Sequence, residues 1–243
     1  MKTSNNTILL TGGTSGIGYS ILKKLNALDN KILVVGKDHQ RLEKIKSEFK
    51  NIDTFCCDLS MSADVQRLID FCYESYLDLN VVINNAGVQY NYGLGSEDDL
   101  SKIEKEVTIN FTSPMKLCSG LLPLLKKQPV SAIVNVSSGL AFVPKKSAPI
   151  YCGTKAAIHL ATMSLRYQCD GTSVKVFEII PSLIDTPMTA GRGKGKISPD
   201  ELVEEFLLKF KKDQHEINIG KVKVLRLLQR IAPSLANRIL RDS

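Results

Sequence analysis

Nowhere does the chain contain about 18 consecutive apolar residues, so a membrane-spanning helix is not expected. Its first apolar run, Ile8-Leu9-Leu10, is too short for the core of a secretory leader, and a cytoplasmic protein is expected. The six cysteines (Cys56, Cys57, Cys72, Cys118, Cys152, Cys169) include no CxxC pair. They are expected to be free, mostly buried thiols. His39 and His215 give no metal-ligand spacing, and no metal is expected. His159 lies one helical turn beyond Lys155, with no matching carboxylate in the sequence to suggest a catalytic histidine. Internal repeats and low-complexity tracts are absent as well. What is present is ordinary globular arithmetic: 243 residues, 43% hydrophobic and 23% charged. That is enough for one domain over 1–243 whose core requires neither disulfide nor metal.

Charge is unevenly spread. Of the formal net +7, the segment 189–243 carries +5, from 12 Lys or Arg against 7 Asp or Glu. Such an ending attracts an anionic cofactor, an anionic substrate, nucleic acid or an acidic membrane surface, and it also suits a merely solvated face. Between Lys221 and Arg241 the basic residues alternate with Val222, Val224, Leu225, Leu227, Leu228, Ile231, Leu235, Ile239 and Leu240. This predicts a basic amphipathic segment over about 221–241. Packing at a pocket or subunit contact is the expectation, with peripheral membrane contact the less favoured alternative. No aromatic-lined groove or finger motif accompanies the charge, so nucleic acid is not an expected partner.

Strand-like and helix-like segments alternate, which predicts an α/β fold, a parallel sheet covered on both faces. Strands are expected at 7–10, 32–35, 52–56, 80–83, 130–136, 174–180 and 216–219. Helices are expected near 19–28, 39–49, 62–76, 97–126, 151–169, 198–212 and 221–232, with Pro114 adjusting the longest. The stretch 184–200, rich in Gly, Pro and basic residues, is expected to be a mobile loop.

Two patterns carry chemistry. Thr11-Gly12-Gly13-Thr14-Ser15-Gly16-Ile17-Gly18 follows the first strand and opens the first helix, where free N–H groups and the helix dipole favour a pyrophosphate. Tyr151 and Lys155 stand i and i+4 on one helix face, where an ammonium favours the phenolate and prepares a tyrosine for acid/base work.

The TGxxxGxG spacing of Gly12, Gly16 and Gly18, the Asn84-Asn85-Ala86-Gly87 run, and Asn110, Ser138, Tyr151 and Lys155 in that order resemble the short-chain dehydrogenase/reductase family over nearly the whole chain. The basic ending, with residues 84–89, further resembles a bacterial oxidoreductase subgroup found beside teichoic-acid D-alanylation genes. The resemblance implies a Rossmann-like, three-layer, doubly wound parallel sheet with helices on both faces. It implies catalysis by Tyr151 as proton donor or acceptor, with Ser138 orienting the substrate oxygen. Lys155 would bind the nicotinamide ribose and tune Tyr151, and Asn110 would hold a proton-relay water. It places the cofactor on Gly12, Thr14, Ser15, Gly16, Ile17, Gly18, Lys37, Asp58, Leu59, Asn85, Ala86, Gly87, Tyr151, Lys155, Pro181, Ile184 and Thr186. Ser182 stands where the family usually has Gly, which puts the local turn in question.

Lys37, just past the second strand, faces a 2′-phosphate in this reading, so NADP(H) is favoured over NAD(H). Asp38 is the complication, as a possible ribose ligand or as the partner of Lys37 in a surface pair. Substrate is expected to touch Gln89, Ser138, Leu140, Phe142, Val143, Tyr151 and Met188, whose character suits a partly apolar ketone, aldehyde or secondary alcohol. The alternatives are an NAD-dependent hydroxysteroid or hydroxyacyl dehydrogenase and a catalytically weak nicotinamide-responsive interaction protein. Family resemblance also implies a homodimer or homotetramer.

Overall fold

The computed structural model describes residues 1–95 and 99–241. Seven short strands join one all-parallel sheet: β1 (Thr7–Thr11), β2 (Lys31–Gly36), β3 (Ile52–Cys56), β4 (Val81–Asn84), β5 (Ser131–Val136), β6 (Val174–Pro181) and β7 (Glu216–Ile219). Their order is β3-β2-β1-β4-β5-β6-β7. The chain winds outward from β1 to β3 and then returns to lay β4 on the other side of β1. That reversal opens a crevice at the carboxyl ends of the central strands.

Strand residues are apolar on both faces, as a covered parallel sheet demands. Ile8, Leu10 and Val34 face one layer, made by α1 (Gly16–Asn26), α2 (His39–Glu48) and α7 (Pro199–Lys211), where Leu22, Leu42 and Phe206 bury. Leu9, Leu33 and Val82 face the other, where Leu68 and Cys72 of α3 (Ser62–Ser75) and Leu117 and Leu121 of α5 (Ser113–Lys126) bury. Successive residues of one strand thus alternate between two cores. All six cysteines are free; Cys56 is exposed and the other five are buried.

The long helix expected over 97–126 is two helices. Residues 97 and 98 lie outside the described residues; α4 (Asp99–Val107) and α5 are joined by a π-helical turn, Thr108–Thr112. Pro114, in the first turn of α5, has no N–H to close an i+4 bond to the Asn110 carbonyl. The adjustment expected of Pro114 therefore falls on Asn110 itself. After α6 (Pro149–Gln168) and β6, the loop before α7 closes on itself. Ile184 bridges Ile197, and the Asp185 N–H donates to the Ile197 carbonyl at 2.9 Å.

The basic ending forms α8 (Val222–Ile231) and α9 (Pro233–Arg241). One side of α8 packs on the turn that follows β5: a methyl added at Gly139, next to Ser138, would touch Val222 and Leu225 at 3.3 and 3.4 Å. The other side differs, because Val224, Leu227 and Ile231 lie on the outer face of the same helix and are exposed, as are Leu235 and Ile239 of α9. Among the described residues no helix is long and apolar enough to cross a membrane.

Candidate functional site

Every motif read from the sequence arrives at the carboxyl edge of the sheet. The glycine turn leaves β1 with Gly12 at φ +68° and Gly16 at φ +54°, left-handed conformations that glycine adopts without a steric cost. Gly18 is required for space: a β-carbon there would stand 2.5 Å from Asn85 Nδ2 and closer still to the Gly12 carbonyl oxygen. Ser15, the N-cap of α1, makes no side-chain capping bond, so the protein leaves the first N–H groups of that helix to another acceptor. A turn held open by glycines and a helix terminus without its cap fit the pyrophosphate of a dinucleotide.

β4 is sewn to this turn. Thr11 Oγ1 accepts the N–H groups of Asn85 and Ala86, each at 3.1 Å, and Asn85 Nδ2 donates to the carbonyls of Thr11 and Gly12 at 3.0 and 3.2 Å. The Asn85 side chain is thus engaged with the turn, and Thr11, not singled out from the sequence as a site residue, is the hydroxyl that aligns the two loops. Its signal was the first letter of TGxxxGxG. Thr186 joins from β6: a β-carbon at Gly16 would lie 3.2 Å from its Cγ2. Pro181 ends β6, and Ser182 is accommodated against Gly220, whose φ of +64° and missing side chain make room for the Ser182 hydroxyl.

Past β2, Lys37 is exposed. Asp38 does not pair with it: its carboxylate accepts the Arg41 N–H at 3.1 Å as the N-cap of α2 and pairs with the Arg41 guanidinium at 3.2 Å. The surface-pair reading of Lys37 and Asp38 is corrected on this point, because a helix start consumes the carboxylate. Asp58 and buried Leu59 follow β3. Burial opposes ionisation of Asp58, but the N–H and O–H of Ser60 and the charge of Lys37 outweigh it and hold the carboxyl below its usual range.

The tetrad converges. Ser138 Oγ accepts the Leu140 N–H at 3.1 Å, which fixes its rotamer. Lys155, almost fully buried, donates from Nζ to the Val136 carbonyl at 2.8 Å and stands 5.6 Å from the centre of the Tyr151 ring. Asn110 pairs with the backbone of Val88 in both directions, each bond 2.8 Å, and reaches Thr154 Oγ1 at 3.2 Å. Gly87 lies against Asn110 and Lys155, 3.2 and 3.7 Å from where its β-carbon would be. The Asn110 side-chain amide is committed to Val88 and Thr154. One expectation changes here. Tyr151 is not lowered by Lys155 in this arrangement: burial pushes it up to about 12, against the opposing effect of the Ser138 hydroxyl.

Burial also pushes the Lys155 ammonium down, to about 8, although the charge of Glu178 works the other way. Between about pH 8 and the ordinary 10.5 the unfolded chain binds this proton more tightly than the folded one, so stability rises with pH across that window. Below it, folding carries a cost on the order of 3 kcal/mol for this one group. Lys155→Met should therefore be more stable than the parent at neutral pH, with the advantage shrinking as pH approaches the upper end of the window, in urea denaturation followed at several pH values.

Glu178 corrects the reading of His159. This fully buried β6 carboxylate lies 2.9 and 3.1 Å from His159 Nδ1, so the histidine does have a carboxylate partner, contributed by a strand distant in sequence. The expected substrate contacts divide. Gln89 and Leu140 are half-buried beside the tetrad loops and Met188 is exposed. Phe142 is held edge-on to His159 at 4.7 Å with Arg226 over its face, and Val143 is fully buried; both are engaged in packing. Ile184 is buried in the core at the start of the loop after β6.

The short chain dehydrogenase family model matches residues 6–196. The chain is 38% identical over 234 residues to the uncharacterized oxidoreductase DltE of Bacillus subtilis (strain 168), covering 93% of this chain and 92% of that one. In fold it is similar to a short chain dehydrogenase from Burkholderia cenocepacia J2315 in complex with NADP, with a TM-score of 0.88, 21% identity and 99% of each chain covered. A short chain dehydrogenase/reductase from Burkholderia phymatum in complex with NAD gives a TM-score of 0.83 at 18% identity, over 100% of this chain and 97% of that one. With its crevice, glycine turn and converging tetrad, the chain belongs to the short chain dehydrogenase family and is an NAD(P)-dependent oxidoreductase.

Proposed function

We propose that the protein reduces the carbonyl of a small or medium, partly apolar ketone or aldehyde, or oxidises the matching secondary alcohol, with NADP(H) preferred to NAD(H). The observation that carries this reading is the buried Tyr151 side chain, with Lys155 Nζ 5.6 Å from its ring centre and the Ser138 hydroxyl acting on it. When bound, the nicotinamide supplies the hydride to the carbonyl carbon or accepts it from the alcohol. The chain's residues do the rest. Gly12, Thr14, Ser15, Gly16, Ile17 and Gly18 hold the pyrophosphate; Asp58, Leu59, Asn85, Ala86 and Gly87 line the adenosine side; Pro181, Ile184 and Thr186 line the nicotinamide side. Ser138 donates to the substrate oxygen while Tyr151 passes its proton to that oxygen. Lys155 would bind the nicotinamide ribose hydroxyls, and Asn110 would hold the water through which Lys155 and Tyr151 are reprotonated.

The NADP(H) preference rests on Lys37, whose charge is not consumed by Asp38. Lys37→Ala should weaken NADPH by about ten-fold, the size of one charge-assisted contact, and leave NADH nearly unchanged. Separate fluorescence titrations of the two nucleotides measure this, followed by turnover on a carbonyl panel. Equal losses for both would remove Lys37 from the phosphate, and binding of neither nucleotide by the parent chain would remove the reductase reading.

A further inference from the structure

The carboxyl-terminal helices turn apolar side chains to solvent as well as to the core. On α8, Val224, Leu227 and Ile231 are 68, 60 and 71% exposed, and their i, i+3, i+7 spacing sets them in one stripe. On α9, exposed Leu235 and Ile239 stand i and i+4 on one face. The opposite sides are anchored. Val222 is buried against the Gly139 turn, Ala236 is fully buried, and the Arg241 carbonyl accepts the Lys146 N–H at 2.8 Å. Both helices are therefore held by contacts that leave their apolar stripes outward.

Charge decides what such a surface meets. From Ile217 onward the chain carries six Lys or Arg and, before Asp242, no acidic residue. Arg226, on the inner side of α8, pairs with Glu216 and lies over the Phe142 ring, 4.5 Å from its centre. Lys223 and Arg230 are exposed, flank Leu227 at i−4 and i+3, and pair with no carboxylate among the described residues. Arg238 stands likewise, exposed and i+3 from Leu235. A second copy seated symmetrically on this face would set these cations against their own images, with no acidic residue between Ile217 and Arg241 to answer them. An anionic lipid surface answers both features, with headgroups for the cations and the acyl boundary for the stripe. We propose that α8 and α9 dock the protein peripherally on an anionic phospholipid bilayer, Leu227 and Ile231 entering the acyl boundary and Lys223 and Arg230 lying at the headgroups. The exposed stripes reverse the order expected from the sequence, because packing within the chain uses only the inner sides of the two helices. This docking goes beyond the reductase reading and does not depend on it.

The test sediments the full chain with vesicles of two compositions, phosphatidylcholine alone and an equal mixture of phosphatidylcholine with phosphatidylglycerol. The parent should bind the mixed vesicles about ten-fold or more tightly than the neutral ones, and added salt should release it. Lys223→Gln with Arg230→Gln should weaken that binding by about five-fold per charge, and Leu227→Gln with Ile231→Gln by about ten-fold or more. Both double variants should keep the parent's NADPH affinity and denaturation midpoint, since all four side chains are exposed. A parent that binds neither vesicle, or both equally, overturns the docking. So does binding that survives Leu227→Gln with Ile231→Gln unchanged, which would leave only diffuse attraction between a basic protein and anionic lipid. If that apolar variant fails to fold, Val224→Gln, at the exposed start of the same stripe, takes its place. Analytical ultracentrifugation addresses the second copy: a parent that ignores vesicles and forms a larger oligomer than the apolar variant would make the stripe a subunit contact and overturn the docking.

Discussion

Tyr151→Phe should lower kcat for carbonyl reduction by about 10² to 10⁴-fold, the range associated with one positioned proton donor, while NADPH binds as before. The variant removes a single oxygen. The ring stays in its buried place against Lys155, and the glycine turn, at the ends of other strands, is untouched. What disappears is the hydroxyl, and with it the route by which the developing alkoxide is neutralised. With the Tyr151 hydroxyl pushed up to about 12, it carries its proton throughout the physiological range, the form that reduction consumes. Alcohol oxidation consumes the phenolate, so its rate in the parent should rise with pH while reduction does not. Stopped-flow NADPH oxidation under single-turnover conditions, beside a nucleotide titration of both proteins, separates the chemical step from binding. Equal turnover by parent and variant would sink the assignment of Tyr151 as proton donor.

Local pattern carried much of this architecture. The buried strand Val174–Pro181 is a nearly uninterrupted apolar run, and the start of α7 is written as Ser198-Pro199-Asp200-Glu201, whose reciprocal capping bonds are present at 2.7 and 3.1 Å. The tetrad and the glycine turn were legible because each has a fixed order along the chain. What stayed hidden depends on contacts between segments far apart in sequence. Periodicity treats 97–126 as one helix, since a π turn keeps the chain helical and changes only its phase around Asn110. Glu178 reads as an anomaly in an apolar strand until His159 is found beside it. That strand position is in register with Asn135 of β5, which is in register with Asn84 of β4, so a polar row crosses the sheet beneath the site. Asn84 donates to Asn135 at 2.8 Å and Asn135 to Thr162 at 2.9 Å.

Gly18→Ala should abolish measurable nucleotide binding, weakening it by more than about 10²-fold, and destabilise the fold by about 2 to 4 kcal/mol. The reason is space and not backbone conformation, because Gly18 lies inside α1 and is absent from the positive-φ glycines. The added methyl would overlap the Gly12 carbonyl oxygen and stand 2.5 Å from Asn85 Nδ2, and neither can retreat cheaply. Gly12 sits at φ +68° with its own α-hydrogen facing Ala86, where a β-carbon would be 2.9 Å from Ala86 Cα. Asn85 Nδ2 is the donor that joins β4 to the Thr11 and Gly12 carbonyls. Displacing either one therefore opens the seam between β1 and β4, the two strands whose separation defines the crevice. Gly153→Ala supplies the contrast: it is an exposed α6 position with nothing within 4 Å of the new methyl, and it should gain about 0.5 to 1 kcal/mol from helix propensity while binding nucleotide as the parent does. Chemical denaturation and NADPH fluorescence on the three proteins measure both quantities. A Gly18→Ala chain that binds NADPH like Gly153→Ala would mean that the nucleotide does not depend on the β1–α1 turn.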